Sequence, residues 1–589
     1  MGIQRANSKL LFSISLVLFS FWLFLVLSLQ MQYVTTVESN ALAMIDVLFP
    51  YYWIIIGLFM TVCFFGFTLK ERSRWLDIAL LVQLAFMLFY TPFLMGGFSW
   101  SPDSLWHGGV GTYFPSVWEG LEYPLTQYCR SYPLSFLITF SAEQLLKVDI
   151  VTYTLYIFPP ICIALISSLA YFFVSRIINK NTAFLTMLLA LPALHYLEPH
   201  VSPFATGTVL LLISLILTTY KNAKAFALNM LVVLALVLTH PISPIFLGVY
   251  LFSVILVFLL TNVSFRLLKE SLTSHTFKPT VRPTLIILLV FLAIVWTLWT
   301  TYGAAPNYAG VEKSILNVVN LNFLKNLISS MQWTTEGQGF IYPEISQLGL
   351  FVYAIFLGGV LLTLFSSLFT LMSKRKIDHL TITRIELAIA AIFSAVMSYL
   401  LFSSSGERFL LGRGLIFLLI FGAACIATYF SGWIVNSTLK KKFPIYVLIF
   451  FLVCSFPVVA YSKESYNTFT PLAEEGLVYL TTEFDLSKHT LSMTSSQQLA
   501  AYADLSKDLK LVDFPPNMSR YEPDIVVLRL NSFYFISMRY DLSFTNNSYI
   551  ELQEYLLENS EYIRVFNNSQ FEIYLKKDYS IGNSSQISP

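Results

Sequence analysis

The chain has 589 residues, of which 56% are hydrophobic and only 12% charged, with a mean hydropathy of +0.67. A soluble protein carries about 25% charged residues, so the composition excludes a soluble enzyme and fits an integral membrane protein. The formal net charge of +2 gives no basis for nucleic-acid binding, and the five scattered cysteines indicate neither a disulfide framework nor a metal cluster.

Apolar runs long enough to cross about 30 Å of hydrocarbon predict about thirteen transmembrane helices. In chain order they fall near 10–29, 51–69, 76–95, 151–175, 182–197, 205–220, 225–240, 245–261, 284–302, 346–371, 385–403, 414–435 and 444–461. The first lacks a small-residue cleavage site and reads as a retained span. Lys and Arg accumulate in every second connection: Lys70, Arg72 and Arg74; Arg176 and Lys180; Lys221 and Lys224; Arg266 to Arg282; Lys374 to Arg384; and Lys440 to Lys442. The other connections hold only Arg130, Lys147, Lys313, Lys325, Arg408 and Arg413. Because basic residues collect on the cytoplasmic side of short loops, this alternation predicts a multi-pass cell-membrane protein with its N-terminus inside and its C-terminal part outside. Glycosylation triplets at Asn517, Asn546, Asn567 and Asn583 agree with an external C-terminus, while Asn262 and Asn436 fall on the cytoplasmic side.

The first polar interruption, within an external loop spanning 96–150, reads S-W-S-P-D-S-L-W-H-G-G-V-G-T-Y-F from Ser99. It sets Asp103 four residues before His107, so in a helix the two share one face. A carboxylate there can serve as general base towards an acceptor hydroxyl, with the imidazole positioning a phosphate or sharing the proton. The alternative is a helix cap at Asp103 and an ordinary interfacial histidine. Glu119 and Glu122 follow in the same loop, and Arg130 precedes the turn at Tyr132-Pro133-Leu134. His195, Glu198, His200 and His240 also fall at external span ends, and their residue types leave a divalent metal conceivable without a recognised ligand spacing. Arg408 and Arg413 are the basic residues of an external connection, where arginine can hold a lipid phosphate in bidentate fashion or pair with Glu407.

A second external loop, 303–345, contains Ile315, Val319, Leu324, Leu327 and Met331 at helical spacing, which predicts an interfacial helix or a segment packed on the spans. The transmembrane part therefore covers 1–461 and a soluble external α/β domain covers 462–589. In that domain the strand-like runs T-L-S-M, L-K-L-V-D-F, D-I-V-V-L-R-L, Y-I-R-V-F and F-E-I-Y-L alternate with helical segments at Ser496 to Leu505 and Tyr549 to Leu557, and the last two strand-like runs predict a terminal hairpin.

Together these residues resemble the GT-C superfamily of membrane glycosyltransferases. Protein O-mannosyltransferases carry an Asp-Glu pair followed by a histidine, and Asp103-Ser-Leu-Trp-His107 is similar, with Ser104 where the second acid would stand. The W-W-D-Y-G signature of oligosaccharyltransferases is absent. The resemblance implies a polyprenyl-phosphate-linked sugar as donor, its tail among the membrane lipids, and a glycan or protein as acceptor. It implies Asp103 and His107 as catalytic residues, and Arg408, Arg413, Arg130, Tyr132 and His240 as substrate-binding residues. Two other classes stay open: a non-catalytic membrane scaffold or receptor with an external interaction domain, and a transporter, which would need polar groups near mid-membrane.

Overall fold

A computed structural model describes residues 2–36, 43–69, 72–96, 102–119, 126–194, 197, 199–267, 283–304, 343–374, 379–403, 409–435, 439–461, 471–493, 510–512, 523–529, 553–558, 562–567 and 571–577. The chain is a polytopic α-helical membrane protein with a C-terminal α/β unit. Its helices are α1 (Gly2–Thr36), α2 (Ala43–Leu48), α3 (Tyr51–Thr68), α4 (Arg74–Phe89), α5 (Thr91–Gly96), α6 (Pro102–Thr112), α7 (Phe114–Glu119), α8 (Thr126–Ser131), α9 (Pro133–Leu146) and α10 (Ile150–Thr152). They continue as α11 (Phe158–Ile177), α12 (Lys180–Ala190), α13 (Pro203–Thr218), α14 (Ala223–Thr239), α15 (Ser243–Leu267), α16 (Pro283–Leu298), α17 (Pro343–Lys374), α18 (His379–Ser403), α19 (Phe409–Val435), α20 (Leu439–Tyr461) and α21 (Pro471–Glu483).

Each predicted apolar run contains helix, although two of them are interrupted. Among the described residues, 8 helices are long and apolar enough to cross a membrane, and Pro203–Thr218, Ala223–Thr239 and Leu415–Phe430 are shorter apolar helices. The difference from about thirteen has local causes. The run 76–95 breaks at Tyr90 into α4 and α5, and the run 182–197 ends as helix α12 followed by a 3-10 turn at Leu191–Ala193, where Pro192 cannot donate to the ladder.

Short polar residues start α4, α10, α12, α13 and α14. The side chains of Ser73, Asp149, Asn179, Ser202 and Asn222 each accept a backbone N–H of the turn they open, at 2.7–3.1 Å. Such caps stabilise a helix by about 1 kcal/mol each. The packing is aromatic and partly hydrogen-bonded. The Tyr52 hydroxyl donates to the Met87 carbonyl at 2.6 Å and that of Tyr461 to Leu88 at 2.6 Å, tying α3 and α20 to the end of α4. Phe246 stacks on Phe417 with centroids 4.2 Å apart, joining α15 to α19. On α17, Leu362, Phe365 and Phe369 recur at helical spacing and are exposed, as a lipid-facing stripe requires.

Near the end of α3, Arg72 turns inward although it belongs to a basic connection. Its Nε donates to Asp77, its Nη1 donates to the Phe67 carbonyl at 2.9 Å, and its guanidinium lies 4.7 Å from the Phe184 ring centre. The Tyr171 hydroxyl donates to the other Asp77 oxygen at 2.8 Å, and Lys180 Nζ donates to the Arg72 carbonyl at 2.9 Å. α3, α4, α11 and α12 are thereby pinned at one corner.

The C-terminal unit has strands β1 (Thr490–Met493), β2 (Lys510–Val512), β3 (Ile525–Arg529), β4 (Tyr562–Asn567) and β5 (Phe571–Lys576). All five predicted runs form strands, in the order β2-β1-β3-β5-β4. β1 pairs parallel with β2 and β3, whereas β5 pairs antiparallel with β3 and β4, so the terminal hairpin forms as expected, with an irregularity between Arg564 and Phe566. The 553–558 segment is helical, as expected, while the predicted helix at 496–505 and the interfacial segment at 315–331 lie outside the described residues. Asn567, the one glycosylation acceptor among the described strands, is exposed at the end of β4.

Candidate functional site

The opening stretch folds as helix. α6 begins at Pro102, whose missing N–H costs nothing in a first turn, so Asp103 is a helical residue rather than a cap. Asp103 and His107 stand one turn apart on the same face, as the spacing predicts; the Asp103 side chain itself lies outside the described residues. Two glycines set how closely α6 is held. A Cβ on Gly108 would come 2.7 Å from Thr154 Oγ1, and one on Gly111 would come 2.8 Å from Thr139 Cγ2. α6 is thus wedged between the π-helical turn Tyr153–Ile157 and α9, and only the absence of a side chain permits the approach. A π-turn inside a longer helix is a common mark of a functional position.

Fixed in this way, α6 carries His107 into an aromatic cluster, where it is buried. Its ring centre lies 4.4 Å from that of Trp106, 5.6 Å from Phe136, 6.2 Å from Tyr128 and 6.5 Å from His200. Tyr128 in turn lies 5.2 Å from Tyr132. Two tryptophans tie neighbouring elements together. Trp299 Nε1 donates to the Ser131 carbonyl at 2.8 Å, and Trp296 Nε1 donates to the Pro241 carbonyl at 3.1 Å, bringing the end of α16 against α8 and the α14–α15 corner. Ser104 Oγ, Trp106 Nε1 and Thr154 Oγ1 are buried without a hydrogen-bond partner. Leaving such groups unpaired costs about 1–3 kcal/mol each, so three within one short helix and its neighbour mark a polar seam in an apolar surround.

The other predicted residues divide. Tyr132 is buried as the residue preceding α9, and burial pushes its hydroxyl pKa up to about 12, so it stays protonated at neutral pH. Arg130 is half-buried on α8, and its charge partly offsets the burial that raises the Cys129 thiol. His240 ends α14 and turns the chain: its Nδ1 accepts the Ser243 N–H at 3.3 Å and lies 3.1 Å from Ser243 Oγ, while its ring lies 5.2 Å from Phe204. Arg413 sits in the first turns of α19 with its side chain outside the described residues, and Arg408, His195, Glu198 and Glu122 lie outside them altogether, as does the Glu119 side chain. Among the described residues no three His, Cys, Asp or Glu side chains converge to hold a metal ion, and all five cysteines are unpaired.

Sequence reasoning did not single out Trp106, Tyr128, Phe136 or Thr154. A signal existed for two of them: Tyr128, Tyr132 and Phe136 recur every four residues across the Ser131-Tyr132-Pro133 junction, which is the spacing of one helical face.

No family model matches the chain, and no curated protein matches it. Among solved structures it is similar to the archaeal oligosaccharyltransferase AglB from Archaeoglobus fulgidus in complex with an inhibitory peptide and a dolichol-phosphate, at 11% identity and a TM-score of 0.42, covering 74% of this chain and 64% of that one. The apo form of the Archaeoglobus fulgidus oligosaccharyltransferase gives 10% identity and a TM-score of 0.43 over 78% of this chain and 70% of that one. Its complex with zinc and sulfate gives 13% and 0.36 over 72% and 61%. The chain thus spans less than two thirds of the length of the first of these, and likeness at this level assigns no role to any residue.

Proposed function

We propose that the protein is a membrane glycosyltransferase that moves a sugar from a polyprenyl-phosphate donor to an acceptor hydroxyl on a glycan or protein at the external face. The observation that carries this reading is the placement of Asp103 one turn before His107 on a helix locked by Gly108 and Gly111, with His107 seated among Trp106, Tyr128, Phe136 and His200.

In the reaction the acceptor oxygen forms a bond to the sugar C1 as the bond from C1 to the phosphate oxygen breaks, with inversion. The acceptor proton passes to the Asp103 carboxylate, and the electron pair of the broken bond leaves on the lipid phosphate. Arg408 or Arg413 supplies the cation that this leaving group requires. His107 holds the phosphate or the acceptor by a hydrogen bond, and the aromatic rings exclude water from the reacting atoms. Ser104 stands where related enzymes carry a second acid, so the base function rests on one carboxylate.

The test is transfer of a radiolabelled sugar from polyprenyl-phosphate donors in membranes containing the full chain. Turnover of any such donor supports the enzyme, and neither binding nor turnover of any of them would leave the scaffold reading in its place.

A further inference from the structure

Away from the Asp103 helix, a groove runs between α11, α13 and α14 at the ends that carry basic residues. It has a volume of about 370 Å³ and an apolar wall that includes Leu169, Ile213, Ile216 and Leu217, with Tyr220 and Lys224 at its polar end. We propose that this groove holds one membrane lipid with an anionic phosphate headgroup, its chain along the apolar wall and its phosphate between Lys224 and Arg176.

Three observations select that occupant. The wall belongs to apolar helices of the membrane part, so a hydrocarbon chain fits it and water does not. The mouth is positive: α14 opens there with Lys224 in its first turn and no acidic residue in that turn, and Lys221 is exposed beside it. A lysine in a first turn is opposed by the positive end of the helix dipole, and an anion at the mouth offsets both. Finally, Arg176 in the last turn of α11 is held over this place, its guanidinium 4.3 Å from the Tyr220 ring centre and its Nε donating to Thr219 Oγ1 at 3.4 Å. Basic pockets between transmembrane helices are the usual receptors of anionic headgroups. A zwitterionic lipid would fill the same wall but meet the cations with its own ammonium close by.

The test uses the full-length protein in a neutral detergent, with lipid binding read by native mass spectrometry and stability by thermal unfolding. Phosphatidylglycerol, phosphatidylcholine with the same chains and inorganic phosphate are compared. Phosphatidylglycerol is expected to bind more tightly than phosphatidylcholine and to raise the melting temperature, with inorganic phosphate doing neither. At about a factor of five per basic residue, the Arg176→Gln/Lys224→Gln variant should lose about 25-fold in phosphatidylglycerol affinity. Leu217→Trp, which fills the wall, should weaken both lipids. Sugar transfer should be unchanged in all of these variants, because none touches the Asp103 helix, so failure here is separable from failure of the enzyme reading. Equal affinity for the two lipids, an undiminished preference in the double variant, or an equal shift with inorganic phosphate would each overturn the proposal.

Discussion

The His107 ring centre lies 6.5 Å from that of His200, so an imidazole on α6 and one in the segment before α13 meet at a single place. His107 belongs to the proposed transfer site, and its nitrogens can be removed while its packing is kept. His107→Phe should preserve the contacts with Phe136 and Tyr128 and leave the melting temperature within a few degrees, yet lower transfer by about 100-fold or more. Transfer at the unmodified rate would remove the imidazole from the chemistry.

Gly108 tests whether the position of α6 matters. Its missing Cβ leaves room for Thr154 Oγ1 at 2.7 Å and Ile150 Cγ1 at 3.0 Å, so Gly108→Ala forces α6 or the π-turn to shift, at about 1–3 kcal/mol. Reduced stability and reduced transfer are expected together, and Thr154→Ala in the same chain should restore part of both. A fully stable and active Gly108→Ala protein would show that the close approach is not required.

The Arg72–Asp77 pair predicts an asymmetry between single and double changes. Both side chains are fully buried. Asp77→Ala strands the guanidinium and should destabilise by about 3–5 kcal/mol, whereas Arg72→Met with Asp77→Leu removes both charges and should recover most of that loss. Thermal unfolding of the purified protein decides it, and a single variant as stable as the original would mean that the pair is dispensable.

The features of this structure differ in how far the sequence announced them. The terminal hairpin was legible because N-N-S-Q separates two short β-type runs, and the shared face of Asp103 and His107 was legible because helical period is a local property. The run of Lys70, Arg72 and Arg74 reads as one solvated basic cluster, and nothing local says that Arg72 turns inward to an acid that Tyr171 also holds. That depends on α3, α4, α11 and α12 meeting, a long-range outcome of packing. The aromatic cluster around His107 was missed for a similar reason: aromatic residues make up 16% of this chain, so composition does not distinguish the rings that gather at one place. The parallel pairing of β1 with β2 and β3 is likewise a long-range outcome and not a property of the strands' own residues.

The C-terminal unit carries a pH prediction. Asp485 accepts from Ser487 Oγ at 2.7 Å and pairs with Lys488 at 3.0 Å, and these contacts, the serine first, hold its pKa down to about 2. A carboxyl depressed in the folded state contributes stability that is complete above its unfolded pKa of about 4 and lost as pH falls through the folded value. Residues 471–589 are expected to fold alone with a cooperative melt, and Asp485→Asn should flatten the fall in melting temperature between pH about 4 and 2. Aggregation of the isolated unit would mean that it depends on the helices, and an unchanged pH profile in the variant would remove Asp485 from the account.

The central claim is that one carboxylate and a cation on the same side carry out sugar transfer, and the two should fail differently. Asp103→Asn keeps size and polarity but cannot take a proton, so donor binding should stay near that of the unmodified protein while turnover falls by about 10²–10⁴. Arg408→Ala or Arg413→Ala should weaken donor binding as well as turnover, since the phosphate loses its partner before and during departure, with about 3–4 kcal/mol lost in the transition state. The decisive measurement is the transfer rate from a polyprenyl-phosphate sugar by Asp103→Asn in membranes, with donor binding followed separately and expression matched. The account predicts intact binding with transfer all but abolished. Transfer by Asp103→Asn at the unmodified rate would contradict it.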